Sequence, residues 1–175
     1  ILEEIERATN KRIHELFDVV VGTSAGGLMA IMMTIPTVEG KILTAAEAKQ
    51  IYIEKRYQMF TKNSWFKPSI ASPKYSSKGF EKVVKELYGD QTIRNAVIPM
   101  GVVVTDYDLQ KPILINSMRA QLHESDYRHN IAVWKAARAT TAAPTYFPPL
   151  VLGSNINENS RRSVSPTRIS DPPVY

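Results

Sequence analysis

The chain predicts an α/β domain with a largely parallel central sheet, and three observations carry that expectation. Short runs of β-branched residues alternate with stretches of helical periodicity, the signature of strands separated by crossover helices. The first such run ends directly in a glycine-flanked serine, in FDVVVGTSAGG, so a strand meets a helix across a tight turn. A length of 175 residues with 43% hydrophobic content suffices for one domain with a buried core.

Residues 2–9 read as the end of an amphipathic helix, and the chain opens without an initiator Met. This opening is taken as a cut or a boundary of coverage, so any leader of the parent protein would lie outside it. Phe17–Val21 is a short, largely apolar run with three consecutive valines, suited to a strand buried on both faces. Gly26–Thr34 predicts a helix closed by Pro36. Thr44 followed by Glu47 is a capping box, and its helix should run to about Phe60.

Residues 61–77, rich in Ser, Lys, Pro and aromatics, read as a loop or flap. A short helix over Lys78–Leu87 is stopped by Gly89 and Asp90. Val97–Thr105 and Pro112–Asn116 read as strands. Asn130 is placed as the cap of a helix running to about Thr140, and AAPTYFPPLVL leads from it into a last strand. Residues 1–152 thus form one domain. Residues 153–175, dominated by Ser, Asn, Arg and Pro, offer too little apolar surface to offset the entropy of ordering, and are expected to be an extended or disordered tail.

Composition excludes several functions. Without cysteine there are no disulfides, thiolate metal sites or cysteine nucleophiles. His14, His123 and His129 have no metal-binding spacing, and no acidic loop suits calcium. No cofactor is called for, no nucleic-acid partner is expected, and no apolar run is long enough to span a bilayer. Charge is uneven: Lys49–Tyr88 holds nine Lys or Arg against three Glu. That excess suits either a solvated face of two helices or a surface docking onto anionic head groups, through Lys55, Lys62, Lys67 and Trp65.

The motif Gly22-Thr23-Ser24-Ala25-Gly26 between a strand and a helix is the nucleophile-elbow arrangement. Gly22 and Gly26 lack a Cβ and so allow strand and helix to approach around Ser24. The helix amides converge on the same place, which makes the Ala25 N–H an oxyanion donor. The competing reading is a helix-capping serine at a phosphate-binding turn, but the chain lacks a P-loop lysine and a G-x-G-x-x-G spacing. Activation of Ser24 is less plain. His123 and His129 follow it but lie in a polar stretch, His14 precedes it, and Asp106 and Asp108 read as solvated acids at a strand end.

Together, ELFDVVVGTSAGGL and ARATTAAPTYFPPLVL resemble the patatin-like phospholipase family over residues 1–152. The resemblance implies a three-layer fold and a lipid acyl hydrolase with a Ser-Asp dyad. Ser24 would form an acyl-enzyme that water resolves. Arg138 and residues 142–149 would pack the helix and strand that deliver the acid. Trp134, Tyr146 and Phe147 are read as core, with a place beside an acyl pocket as the alternative.

Two family elements are missing: an upstream glycine-rich loop, and the Asp-Gly-Gly or Asp-Gly-Ala that carries the dyad aspartate after PTYFPP. Asp171 stands at a suitable distance, but Pro172 and Pro173 replace the glycines, so no dyad acid is assigned. Three readings follow. The first is a patatin-like esterase of which this chain is an incomplete part, weakly active or inactive alone. The second is a noncatalytic lipid-surface module retaining the fold, and the third a Ser-His-Asp hydrolase using His123 or His129.

Overall fold

A computed structural model describes residues 1–62, 73–106, 109–123 and 130–152, and the backbone of 167–170. Helix α1 (Leu2–Thr9) and the short α2 (Ile13–Leu16) lead into strand β1 (Val20–Thr23) and helix α3 (Ala25–Thr34). Then come α4 (Ala45–Met59), α5 (Ser77–Tyr88), a 3-10 turn (Ile93–Asn95), β2 (Met100–Asp106) and β3 (Lys111–Asn116). Helices α6 (Ser117–Leu122) and α7 (Val133–Thr140) precede β4 (Leu150–Leu152) and β5 (Thr167–Ser170).

Local chemistry accounts for most of these bounds. Thr44 and Glu47 form the expected capping box, Thr44 Oγ1 accepting from the Glu47 amide at 2.9 Å and Glu47 from the Thr44 amide at 2.9 Å. Gly89 ends α5 at a φ of 54°, a conformation open to glycine at no steric cost. The Glu6 carboxylate accepts from Ile13 N–H (3.2 Å) and Ala45 N–H (2.8 Å), tying α1 to the N-termini of α2 and α4. Asn130 does not cap α7: Ala132 holds that position without a side-chain bond. A β-bridge between Thr92 and Ala132 and the Val133 N–H to Gln91 O bond anchor the start of α7 instead.

The sheet is mixed, not largely parallel. β1 and β2 are parallel, with Val20 opposite Met100 and Thr23 opposite Val103. β3 runs antiparallel along the other edge of β2, and β5 pairs antiparallel with both β2 and β4. β5 falls inside the stretch expected to be extended or disordered, and its backbone is a strand of this sheet. A tail poor in apolar residues acquires strand geometry here because β2 and β4 offer it backbone partners, a tertiary effect that composition does not register.

One face of the sheet is covered by α3 and α7, behind which α4 and α5 pack. α3 is buried nearly all round, and with Val102, Val104, Val84 and Ala137 it forms the centre of the core. β1 is not buried on both faces as its apolar run suggests: Val19 and Val21 are 57% and 53% exposed. They line an apolar groove on the opposite face with Leu114, Met118, Leu122 and His123. No helix among the described residues is long and apolar enough to cross a membrane.

Candidate active site

Ser24 sits where the sequence places it, between β1 and α3, with φ 53° and ψ −124°. Those angles are the ones of the first central residue of a type II′ turn, normally a glycine position. Holding serine there costs about 1–3 kcal/mol, sustained by the packing on either side. The side chain is half-buried at the C-terminal end of a parallel strand pair. The first intrahelical bond of α3 runs from Leu28 N–H to Ser24 O (3.0 Å), so the amides of Ala25, Gly26 and Gly27 belong to the open N-terminus of the helix.

The positions at which this turn leaves no room for a Cβ are Gly22 and Gly27, not Gly22 and Gly26. A Cβ on Gly22 would stand 2.2 Å from the Gly26 carbonyl oxygen, and one on Gly27 would stand 2.8 Å from the Thr140 side chain. A Cβ on Gly26 would meet nothing within 4 Å. Thr140, fully buried at the end of α7, was not singled out by the sequence. Its Oγ1 accepts from Ser24 N–H at 2.9 Å and donates to Val103 O at 2.8 Å, so it clamps the elbow to the central strand.

A cavity of about 240 Å³ opens beside Ser24 and Ala25. Its walls are Leu28 from α3, Tyr52 from α4, Phe80 from α5, and Phe60, Tyr146 and Phe147 from the connections. The rings form one continuous cluster. Phe60 lies 5.6 Å from Tyr75 and 5.8 Å from Phe147, and Phe80 lies 6.3 Å from Phe147. Phe147 is therefore both core and cavity wall. Tyr146, read as core, is 48% exposed and lines the cavity. Trp134 packs against the core and stands under the Lys85 ammonium, 3.9 Å from its ring centre, away from the cavity.

Arg138 is buried, as a structural role requires. It donates to Pro148 O, lies 3.7 Å from a Glu81 carboxylate oxygen and faces the Phe147 ring at 5.4 Å. Burial lowers its pKa from the usual guanidinium value, and Glu81 opposes that shift. The residue thus ties α7 and α5 to the segment that supplies Tyr146 and Phe147.

None of the described candidate bases lines the Ser24 cavity. His123 caps α6 in the groove on the opposite face, and His14 lies in α2. Asp106 is not a solvated strand-end acid: it is only 4% exposed and accepts from Leu109 N–H at 2.9 Å. Asp108, His129, Asp171, Trp65 and Lys67 lie outside the described residues. Among the described residues no cluster of acids and histidines could hold a metal ion.

The family model described as "Patatin-like phospholipase" matches residues 2–162. Patatin-like protein 4 of Arabidopsis thaliana is 33% identical over 165 residues, covering 88% of this chain and 39% of its own length. Patatin-T5 of Solanum tuberosum is 29% identical over 162 residues, covering 91% and 40%. A third relative, "Probable inactive patatin-3-Kuras 1" of Solanum tuberosum, is 27% identical over 162 residues, covering 91% and 41%. The chain thus spans about two fifths of the length of these relatives. With its elbow, its clamp and a family match over nearly the whole sequence, the chain belongs to the patatin-like phospholipase family.

Proposed function

We propose that the chain supplies the nucleophile and the acyl-binding wall of a serine lipid acyl hydrolase. The observation that carries this reading is Ser24, held at φ 53° on the rim of an apolar, aromatic-walled cavity. An acyl chain occupies the cavity while Ser24 Oγ attacks the ester carbonyl. The Oγ proton passes to a carboxylate, and the carbonyl oxygen becomes an oxyanion held by the Ala25 N–H. Collapse expels the alcohol, which takes up that proton, and water then cleaves the acyl-enzyme.

Asp171 is the carboxylate we place in this role. The sheet register supports it. β1 ends at Thr23 opposite Val103, while β5, running the other way, ends at Ser170 opposite Thr105. The ends of β1 and β5 therefore lie two register positions apart along β2. Pro172 and Pro173 replace glycines that would add amide donors, so turnover is expected to be low. Docking onto anionic lipid is assigned to the basic surface of segment 49–88, where Arg56 and Lys62 are exposed.

Fluorophosphonate labelling of the chain beside its Ser24→Ala variant tests the assignment. Label on Ser24, absent from the variant, supports a hydrolase. Intact lipid binding with no labelling would leave the noncatalytic lipid-surface module instead.

A further inference from the structure

We propose that Lys74, lying over Tyr75 and Tyr146, forms a binding shelf for a phosphate ester at the mouth of the Ser24 cavity. This deepens the hydrolase reading and rests on it, since it names the head-group class that the site receives.

The shelf is built, not incidental. Lys74 N–H donates to Thr145 O and Tyr75 N–H to Tyr146 O, both at 2.9 Å, so the two segments are zipped together. Their rings stack at 6.1 Å with an interplanar angle of 21°. The Lys74 ammonium stands 5.4 Å from each ring centre, where the π faces hold its position while its hydrogens stay open to solvent. Tyr146 is itself cavity wall, and Tyr75 packs on Phe60 and Phe147, which are wall as well. The charge is thus fixed to the rim of the space that would take the acyl chain.

Its charge is also uncompensated among the described residues. Lys41, Lys49 and Lys82 each pair with a glutamate, whereas Lys74, among the described residues, has no carboxylate partner. In a glycerophospholipid the phosphate stands only a few bonds from the scissile ester. With that ester at Ser24 and the acyl chain in the cavity, the phosphate emerges at the rim. A lysine ammonium meets phosphate oxygens as a compact point charge. The shelf therefore favours phosphate-bearing lipids over neutral acyl esters.

The test separates this inference from the catalytic one. The Ser24→Ala chain is titrated with micelles doped with a diether glycerophosphoglycerol lipid, with the matching diether glycerol lacking phosphate, and with inorganic phosphate. The phospholipid should bind about fivefold tighter than the phosphate-free lipid, a preference lost with Lys74→Gln and kept with Lys74→Arg. A preference that is absent, or that survives Lys74→Gln, overturns the shelf. Inorganic phosphate binding as tightly as the lipid would overturn the head-group assignment. None of this needs turnover, so failure of Ser24 to label would sink the hydrolase reading while the titration still decided the role of Lys74.

Discussion

The backbone amide of Ser24 donates to Oγ1 of Thr140 across 116 residues of sequence, and that hydroxyl passes its own hydrogen to Val103 O. One buried hydroxyl thus joins the elbow, the end of α7 and the central strand. Thr140→Val keeps the shape and removes both bonds, leaving an amide and a carbonyl short of partners. The expected loss is about 2–3 kcal/mol in urea unfolding. With the turn no longer pinned, fluorophosphonate labelling of Ser24 should slow by about tenfold or more. Thr140→Ser keeps both bonds and should lose only about 1 kcal/mol for its methyl group.

The three glycines of the elbow should respond differently to a single methyl group. Gly22→Ala drives a Cβ to 2.2 Å from a backbone oxygen, which neither strand nor helix can relieve, and should cost about 3 kcal/mol or more. Gly27→Ala meets the pinned Thr140 side chain and should cost about 1–3 kcal/mol. Gly26→Ala meets nothing and gains helix propensity, so it should be neutral or stabilising by up to about 1 kcal/mol. Thermal unfolding of the three variants gives the order. Equal losses at Gly26 and Gly27 would contradict the described elbow.

The elbow was legible because it is local: a valine run, a glycine-flanked serine and a helix all lie within FDVVVGTSAGGL. The cap at Thr44 and the stop at Gly89 were legible for the same reason. What escaped was set by distant partners. Thr140 reads as one more small residue in ARATTAA until its hydroxyl is seen between Ser24 and Val103. Asp106 reads as a solvated acid until its burial and its bond from Leu109 N–H are seen. The exposed faces of Val19 and Val21 contradict their hydrophobicity, because burial depends on which layer covers a strand and not on the strand itself.

Stability should fall on acidification through Glu47. Its carboxyl pKa is lowered, first by the hydrogen bond from Lys41 and then by the Thr44 amide at the helix N-terminus. A depressed folded value means that this contribution is present above the unfolded carboxylate value, about pH 4.3, and is lost as pH falls below it. Lys41 and Glu47 side chains are 51% and 37% exposed, so screening reduces the contribution to a few tenths of a kcal/mol. Urea midpoints measured from pH 6 to pH 3 should therefore decline slightly less in Glu47→Gln. A variant whose decline matched the parent's would remove Glu47 from the account.

The source of the base gives the sharpest contrast between residues. A serine hydroxyl is a weak nucleophile unless a neighbouring group takes its proton. His123 faces the groove on the far side of the sheet, so His123→Gln should leave the rate of Ser24 labelling unchanged. The same holds for His14→Gln, since α2 contributes nothing to the cavity. Asp171→Asn should behave otherwise, because β5 brings Ser170 to the edge of β2 two register positions from Thr23. Disabling the carboxylate of a serine triad lowers turnover by about four orders of magnitude. A dyad without histidine relies on its carboxylate directly, so a loss of about that size is expected, bounded by how little activity the two prolines leave. Labelling that persists in Asp171→Asn but disappears in a histidine variant would exclude the dyad and restore the triad.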